Sequence, residues 1–259
     1  MIAILRAEWT KVRTVSGPAW LLLGSVLLTV AVSLAAVAAT SCPKNMTCPV
    51  DTVKLSLTGV ELGQAVVAIL ATLLITSEYS TGLIKVTLAA APQRLTVYGA
   101  KALILTTAVL AGSMIAAAGC VLVGRSILPG HGFTSGRGFP VLSLASGLAL
   151  RPELGSVLYL ALIALLSLGV ATIVRDSAVA IGAVLGILYL FPIVIAFVTN
   201  PKWEHRLERW TPINAGLAIE ATKGLKHLAI GPWGGLGVLA LWATAAFLSG
   251  AVVFVMKDA

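Results

Sequence analysis

Six apolar runs divide this chain, each close to the length that a bilayer demands. They lie at about 19–40, 59–76, 101–124, 154–174, 178–198 and 233–255. A helix of roughly 20 apolar residues crosses the ~30 Å hydrocarbon core. In lipid, a separate run must satisfy its own backbone N–H and C=O groups, and the α-helix does so within one segment. The expected fold is therefore all-α: a polytopic membrane protein with six transmembrane helices, taken as a single domain over residues 1–259.

Charge supports the same class. Only 11% of residues are charged, less than half the ~25% usual in globular chains, and the mean hydropathy is +1.00. The 18 Lys and Arg exceed the 10 Asp and Glu. Such an excess can signal nucleic acid, but here the bases sit in short clusters between apolar runs rather than on one face, so no nucleic-acid partner is expected. Bases at span ends anchor helices and set topology.

Arg6, Lys11 and Arg13 precede the first run. Ile2, Leu5 and Trp9 recur at i, i+3 and i+7, which fits an amino-terminal helix lying in the membrane interface with the bases on its other side. A cleaved signal peptide competes, with Ala36-Val37-Ala38 as a cleavage-like site. The run from Ala19 to Ala39 is longer than the ~7–15-residue core of a signal peptide, which favours a retained span.

Cys42 and Cys48 flank a polar, proline-bounded loop after the first span. This suggests a small disulfide on the oxidising side of the membrane, with two inert thiols as the alternative. Two cysteines without histidine fall short of the roughly four ligands of a metal site. Asn45-Met46-Thr47 is formally a glycosylation sequon. Cys120, inside an apolar run, reads as packing. Glu61 and Gln64 mark the outer end of the second span, where a carboxylate is either interfacial or lines a polar path, the interfacial reading being preferred.

The longest polar-bearing interruption in the first half is SEYSTGLIKVTLAAAPQRLTVYGAK, Ser77 to Lys101. Ser77 followed by Glu78 is a helix-start pattern. Tyr79, Leu83, Val86 and Ala90 then share one helical face, and Pro92 ends the helix. A short surface helix is expected, with the chain returning to lipid past Arg94 and Lys101. The order Glu78, Gly82, Leu83, Leu88, Pro92, Arg94, Lys101 resembles the cytoplasmic coupling segment of ABC transporter type 2 permeases. The SEYSTGLIK portion looks most like permeases of high-GC Gram-positive, actinobacterial species. The motif covers about 25 residues, recognised by order and position because none of its residues performs chemistry, while the span layout extends the resemblance along the whole chain.

That resemblance implies a coupling helix docked on a separate P-loop ATPase subunit, with ATP and magnesium on that subunit and no cofactor on this chain. It implies coupling roles for Glu78 as cap or ion-pair partner, Gly82 for close approach, Leu83 as docking knob, Pro92 as terminator and Arg94 as the basic residue. Six spans are few for a transport path, so a second permease chain, identical or not, is expected. The implied setting is a bacterial plasma membrane with the amino terminus in the cytoplasm, and the implied work is ATP-driven export by alternating access.

Later segments carry further expectations. The glycine-rich stretch from Pro129 to Pro140 reads as an outer loop and contains no Walker order. Val141–Leu150 is too short to span and reads as a re-entrant or surface helix. Arg175-Asp176-Ser177 is a tight hairpin turn, and Pro192 is expected to kink the fifth span. Alternating charges from Lys202 to Arg209 suggest a surface helix. Asn214–Leu228 is expected to form another, pairing Glu220 with Lys223 at i, i+3.

With the amino terminus inside, 8 of the 18 basic residues fall on the inner side and 10 outside. Basic density is nevertheless higher inside, because the outer segments are longer. Histidines occur only at 131, 205 and 227, all in predicted loops, which disfavours a haem-binding bundle and an intramembrane serine protease. A proton-coupled carrier usually buries several acids, and only Glu61 lies near an apolar interior. The chain is thus expected to be no enzyme, and to draw its energy from a partner. The competing class is an ATPase-independent membrane protein, either a secondary carrier or a scaffold.

Overall fold

The computed structural model describes residues 2–14, 16–43, 48–90, 93–139, 147–197, 200–225 and 228–256. These residues are overwhelmingly helical. The helices are α1 (Ile2–Thr14), α2 (Ser16–Ala39), α3 (Thr52–Leu57), α4 (Val60–Ser80), α5 (Leu83–Ala90) and α6 (Arg94–Ile127). They continue as α7 (Gly147–Val174), α8 (Ser177–Leu185), α9 (Phe191–Ala196), α10 (Pro201–Trp210), α11 (Pro212–Leu217) and α12 (Pro232–Met256). Six helical segments are long and apolar enough to cross a membrane: α2, α3 with α4, α6 with its terminal turn, α7, α8 through α9, and α12. The chain is a multi-pass membrane protein by the length and hydropathy of these helices.

Helix α7 is the hub and the most buried of the six. It packs on α4, α6, α8 and α12, while α2 packs on α4 and α6. Small residues let the backbones approach. A Cβ at Gly169 of α7 would stand 2.4 Å from the carbonyl of Ala246 in α12, and one at Gly250 would stand 2.9 Å from the Gly169 oxygen. Between α2 and α4, a Cβ at Gly63 would stand 1.9 Å from Thr29 Oγ1, and the backbone N–H of Gly59 donates to Ser33 Oγ at 3.0 Å. Lipid provides no hydrophobic drive between helices, so such close van der Waals seams hold a bundle together. Replacing Gly169 with Val should therefore push α7 from α12 and cost roughly 1–3 kcal/mol. Thermal unfolding of the purified protein in detergent measures this, and an unchanged midpoint would refute the seam.

Buried hydroxyls spare the bundle unpaired polar atoms. Thr29, Thr72, Thr76, Ser167 and Thr172 each donate back to a carbonyl four residues earlier, at 2.7–3.0 Å. In contrast, α2, α8 and α12 turn large apolar side chains outward, including Trp20, Leu27, Val179, Trp233 and Leu241. A surface of that kind requires an apolar environment.

Several expected boundaries move. The second span does not stop at 76: α4 runs on to Ser80, so Ser77 and Glu78 lie in its last turns and open no new helix. Ser77 Oγ donates to the Leu73 carbonyl at 2.6 Å, and Thr81 Oγ1 to the Ser77 carbonyl at 2.7 Å. These back-bonds keep the helix going until Gly82, whose φ of +71° ends it. Tyr79 therefore sits on α4 rather than sharing a face with Leu83 and Val86 on α5. The fifth span is broken by a π-helical turn, Gly186–Leu190, with Pro192 in the first turn of α9. Pro192 has no N–H to donate, and the regular hydrogen-bond ladder is already interrupted by the π turn just before it. The expected helix at Val141–Leu150 falls partly outside the described residues, and Gly147–Leu150 forms the start of α7.

At one end of the bundle, Cys42 and Cys48 are joined by a disulfide with Cα atoms 6.0 Å apart. The Cys42 N–H donates to the His131 carbonyl at 2.9 Å. Asp51 caps α3 and also accepts from Thr222 N (2.5 Å), Thr222 Oγ1 (2.6 Å) and Lys223 N (2.8 Å). Burial would raise the Asp51 carboxyl, but these hydrogen bonds hold it below the ordinary carboxylate range. The continuous helix expected over Asn214–Leu228 does not form. Helix α11 gives way to a 3₁₀ turn, Ala218–Glu220, followed by extended chain, with Gly224 at φ +67°. Glu220 is buried rather than paired with Lys223, whose ammonium instead lies 4.7 Å from the Phe139 ring centroid. Tertiary contacts to α3 and α7 outweigh the local i, i+3 pairing.

Candidate functional site

Opposite the disulfide lies the end that carries α1, α5 and the turn at Arg175. Four charged side chains meet there. Lys101, on the second turn of α6 and 1% exposed, donates to Glu8 Oε2 at 2.7 Å and to Glu78 Oε1 at 2.5 Å. Lys11 donates to Glu8 Oε1 at 2.8 Å, to Glu78 Oε1 at 3.0 Å and to Thr87 Oγ1 at 3.3 Å. Two carboxylates thus alternate with two ammonium groups, and the formal charge of the set is zero.

Its members come from different elements for local reasons. On α1, Glu8 and Lys11 are one turn apart, so they project together. The polar side of α1 therefore faces the bundle, and Trp9 is half exposed. Lys11, one of the bases expected opposite Ile2, Leu5 and Trp9, is turned into the protein. Glu78 reaches the cluster because α4 extends past the predicted end of its span. Burial alone would raise the Glu8 carboxyl, yet the charge and hydrogen bond of Lys101, with those of Lys11, hold it below its ordinary value. Burial alone would lower the Lys11 ammonium, and hydrogen bonds to Glu8 and Glu78 raise it instead. Oε2 of Glu78 is buried without a hydrogen bond among the described residues.

The remaining predicted residues do not converge on this cluster. Gly82 is the left-handed residue between α4 and α5. A Cβ there would meet nothing within 4 Å, so its backbone angle, not close approach, is what demands glycine within this chain. Leu83 begins α5 and is 51% exposed, and Val86 is 66% exposed. Ile84, between them, is buried and roots α5 in the core. Pro92 lies outside the described residues. Arg94 opens α6 and points to the end of α12, where it donates to the Val255 carbonyl at 3.3 Å. Arg175, at φ +66°, donates to the nearby Val253 carbonyl at 3.5 Å and stacks 5.1 Å from the Tyr79 ring centroid. Two guanidinium groups thus serve the unsatisfied carbonyls at the last turn of α12, where the helix dipole favours cations.

The sequence pattern missed Glu8 entirely and treated Lys101 as an anchor. A lysine seven residues into α6 that must be buried, together with an acid facing a neutral membrane end, is the signal that could have paired them. The cluster ties α1, α4, α5 and α6 to one another by charge-assisted hydrogen bonds.

No family model matches this chain, and a search of curated proteins returned no match.

Proposed function

We propose that the chain is the membrane-spanning permease subunit of an ATP-driven ABC exporter, with ATP hydrolysis on a separate P-loop ATPase. The reading is supported chiefly by α5. This short helix lies between the second and third spans, roots Ile84 in the core and leaves Leu83 and Val86 uncovered. Exposed apolar side chains at the tip of a membrane bundle suit a protein partner better than water. The Thr87 contact to Lys11 ties α5 to the four-charge cluster. Force on α5 would then reach α1, α4 and α6 together, rather than bending a loose loop.

In this reading the α5 end faces the cytoplasm and the disulfide faces the oxidising side, in a bacterial plasma membrane. Leu83 is the docking knob, Glu78 the ion-pair partner that stiffens the joint, and Gly82 the pivot between α4 and α5. Pro92 stays as terminator and Arg94 as the group that fixes α6 to α12. A dimer of permease chains completes the path.

The test is mild solubilisation of a tagged chain from its native membrane and identification of what copurifies. A stoichiometric P-loop ATPase is the expected result. A preparation that retains the dimer but holds no ATPase would replace this reading with an ATPase-independent carrier or scaffold.

A further inference from the structure

At the disulfide end, a cavity of about 350 Å³ opens between α3, α4, α10 and the segment around α11. Its polar wall is formed by Lys54, Thr58, Glu61, Glu208, Asn214 and Glu220, and its apolar wall includes Leu217, Leu228 and Ile230. The volume falls within the range of small-molecule sites. Three carboxylates and one ammonium are among the lining groups.

Glu220 is the unusual member. It is 3% exposed. Oε1 accepts from Ser156 of α7 at 3.0 Å, while Oε2 takes no hydrogen bond among the described residues. A buried carboxylate in that state is costly unless a proton or a cation meets it. The acids stand on separate elements, and no group of three or more metal-ligating side chains converges among the described residues. Carboxylates that do not converge, in a lining shared with Leu217, Leu228 and Ile230, fit an extended organic ammonium rather than a compact ion.

We propose that this cavity binds a small organic cation, an aliphatic amine whose ammonium pairs with Glu220 and whose alkyl part lies along Leu217, Leu228 and Ile230. The site is independent of what docks on α5. Burial pushes the Glu220 carboxyl up to about 8, against the Ser156 hydrogen bond and the charge of Lys54, with Glu61 and Asp51 adding to the rise. Further titratable or charged groups on this side include Tyr159 and Arg151 of α7, the latter donating to the Ala221 carbonyl, Tyr189, which donates to the Glu61 carbonyl, and Glu208 and Arg209 of α10, the latter donating to the Ala229 carbonyl. Since the ammonium pairs with the ionised carboxyl, the cation displaces a proton. Affinity should therefore rise with pH until Glu220 is ionised in the free protein.

The experiment is calorimetric titration of putrescine into the purified full chain in phosphatidylcholine nanodiscs, at about pH 6.5 and about pH 8.5, either side of the raised carboxyl. Saturable binding that is tighter at the higher pH and releases a proton at the lower is expected. Neutral butanediol should not bind. Glu220→Gln should weaken putrescine by about tenfold or more and remove the pH dependence. Leu217→Trp, which leaves every charge in place, should block the cavity and weaken binding too. Absence of saturable binding to the unaltered chain would overturn the proposal. So would equal binding of butanediol, or putrescine binding unchanged in both variants.

Discussion

Lys101→Met should destabilise the folded chain by about 3–5 kcal/mol, the cost of breaking a buried ion pair from one side. The reason is geometric. Lys101 donates to both Glu8 and Glu78, so its loss leaves two carboxylates at one buried point with only Lys11 between them. Lys11 is itself partly exposed and cannot replace the second ammonium. Equilibrium unfolding of the purified protein in mixed micelles measures the loss. A companion variant makes the cause specific: adding Glu8→Gln and Glu78→Gln to Lys101→Met removes the orphaned charges and should recover much of the stability. If the single variant lies within about 0.5 kcal/mol of the unaltered chain, as ordinary surface changes do, the cluster does not hold the helices.

The pH dependence of this joint follows from the same geometry. The Glu8 carboxyl is held below its unfolded value of 4.5. Its contribution is therefore present above that value and lost as pH falls through the lower folded value. Lys11 is raised above 10.5, so its contribution is complete below that value and lost as pH rises through the higher folded one. Between these limits the contributions of Glu8 and Lys11 to stability should be flat.

If the proposed permease function holds, Leu83→Asp should abolish transport while leaving the bundle folded. At 51% exposure, Leu83 contributes little to internal packing. Burying such a side chain against a partner is worth about 1.5–3 kcal/mol, and an aspartate there adds the cost of desolvating a charge. Together these would weaken the proposed ATPase complex by roughly a hundredfold or more. The two readouts are copurified ATPase, expected to disappear, and the unfolding midpoint, expected to stay. Retained transport with a retained complex would remove Leu83 from the docking surface. Lys101→Met is the converse case, since it lowers the stability of the fold, whereas Leu83→Asp acts on the proposed partner alone.

The six spans were legible because each is a continuous run whose burial requirement is set by lipid, not by a particular neighbour. What the sequence left ambiguous were the points where polar residues decide. Ser77-Glu78 looks like a helix start because a serine before an acid usually caps one. In the structure the serine and threonine hydroxyls from 77 to 81 bond back and prolong α4, which alone delivers Glu78 to Lys101. Glu8 lies 93 residues from Lys101 and Lys11 lies 67 from Glu78, so periodicity along one helix cannot join them. Glu220 shows the same limit. Its spacing from Lys223 suggests a solvated pair, whereas Ser156, 64 residues away, takes it into the interior.

The Asp51 clamp bears on the order in which the protein is built. Its acceptor oxygens are made early, and their donors at Thr222 and Lys223 emerge 171 and 172 residues later. Throughout synthesis of the intervening helices this carboxylate lacks those donors, leaving it the α3 cap and water. The disulfide end therefore closes late, when the segment just before α12 arrives, and any chain interrupted earlier lacks the donors that lock it. An early aspartate thus reports whether the segment at Thr222 and Lys223 has been made and seated.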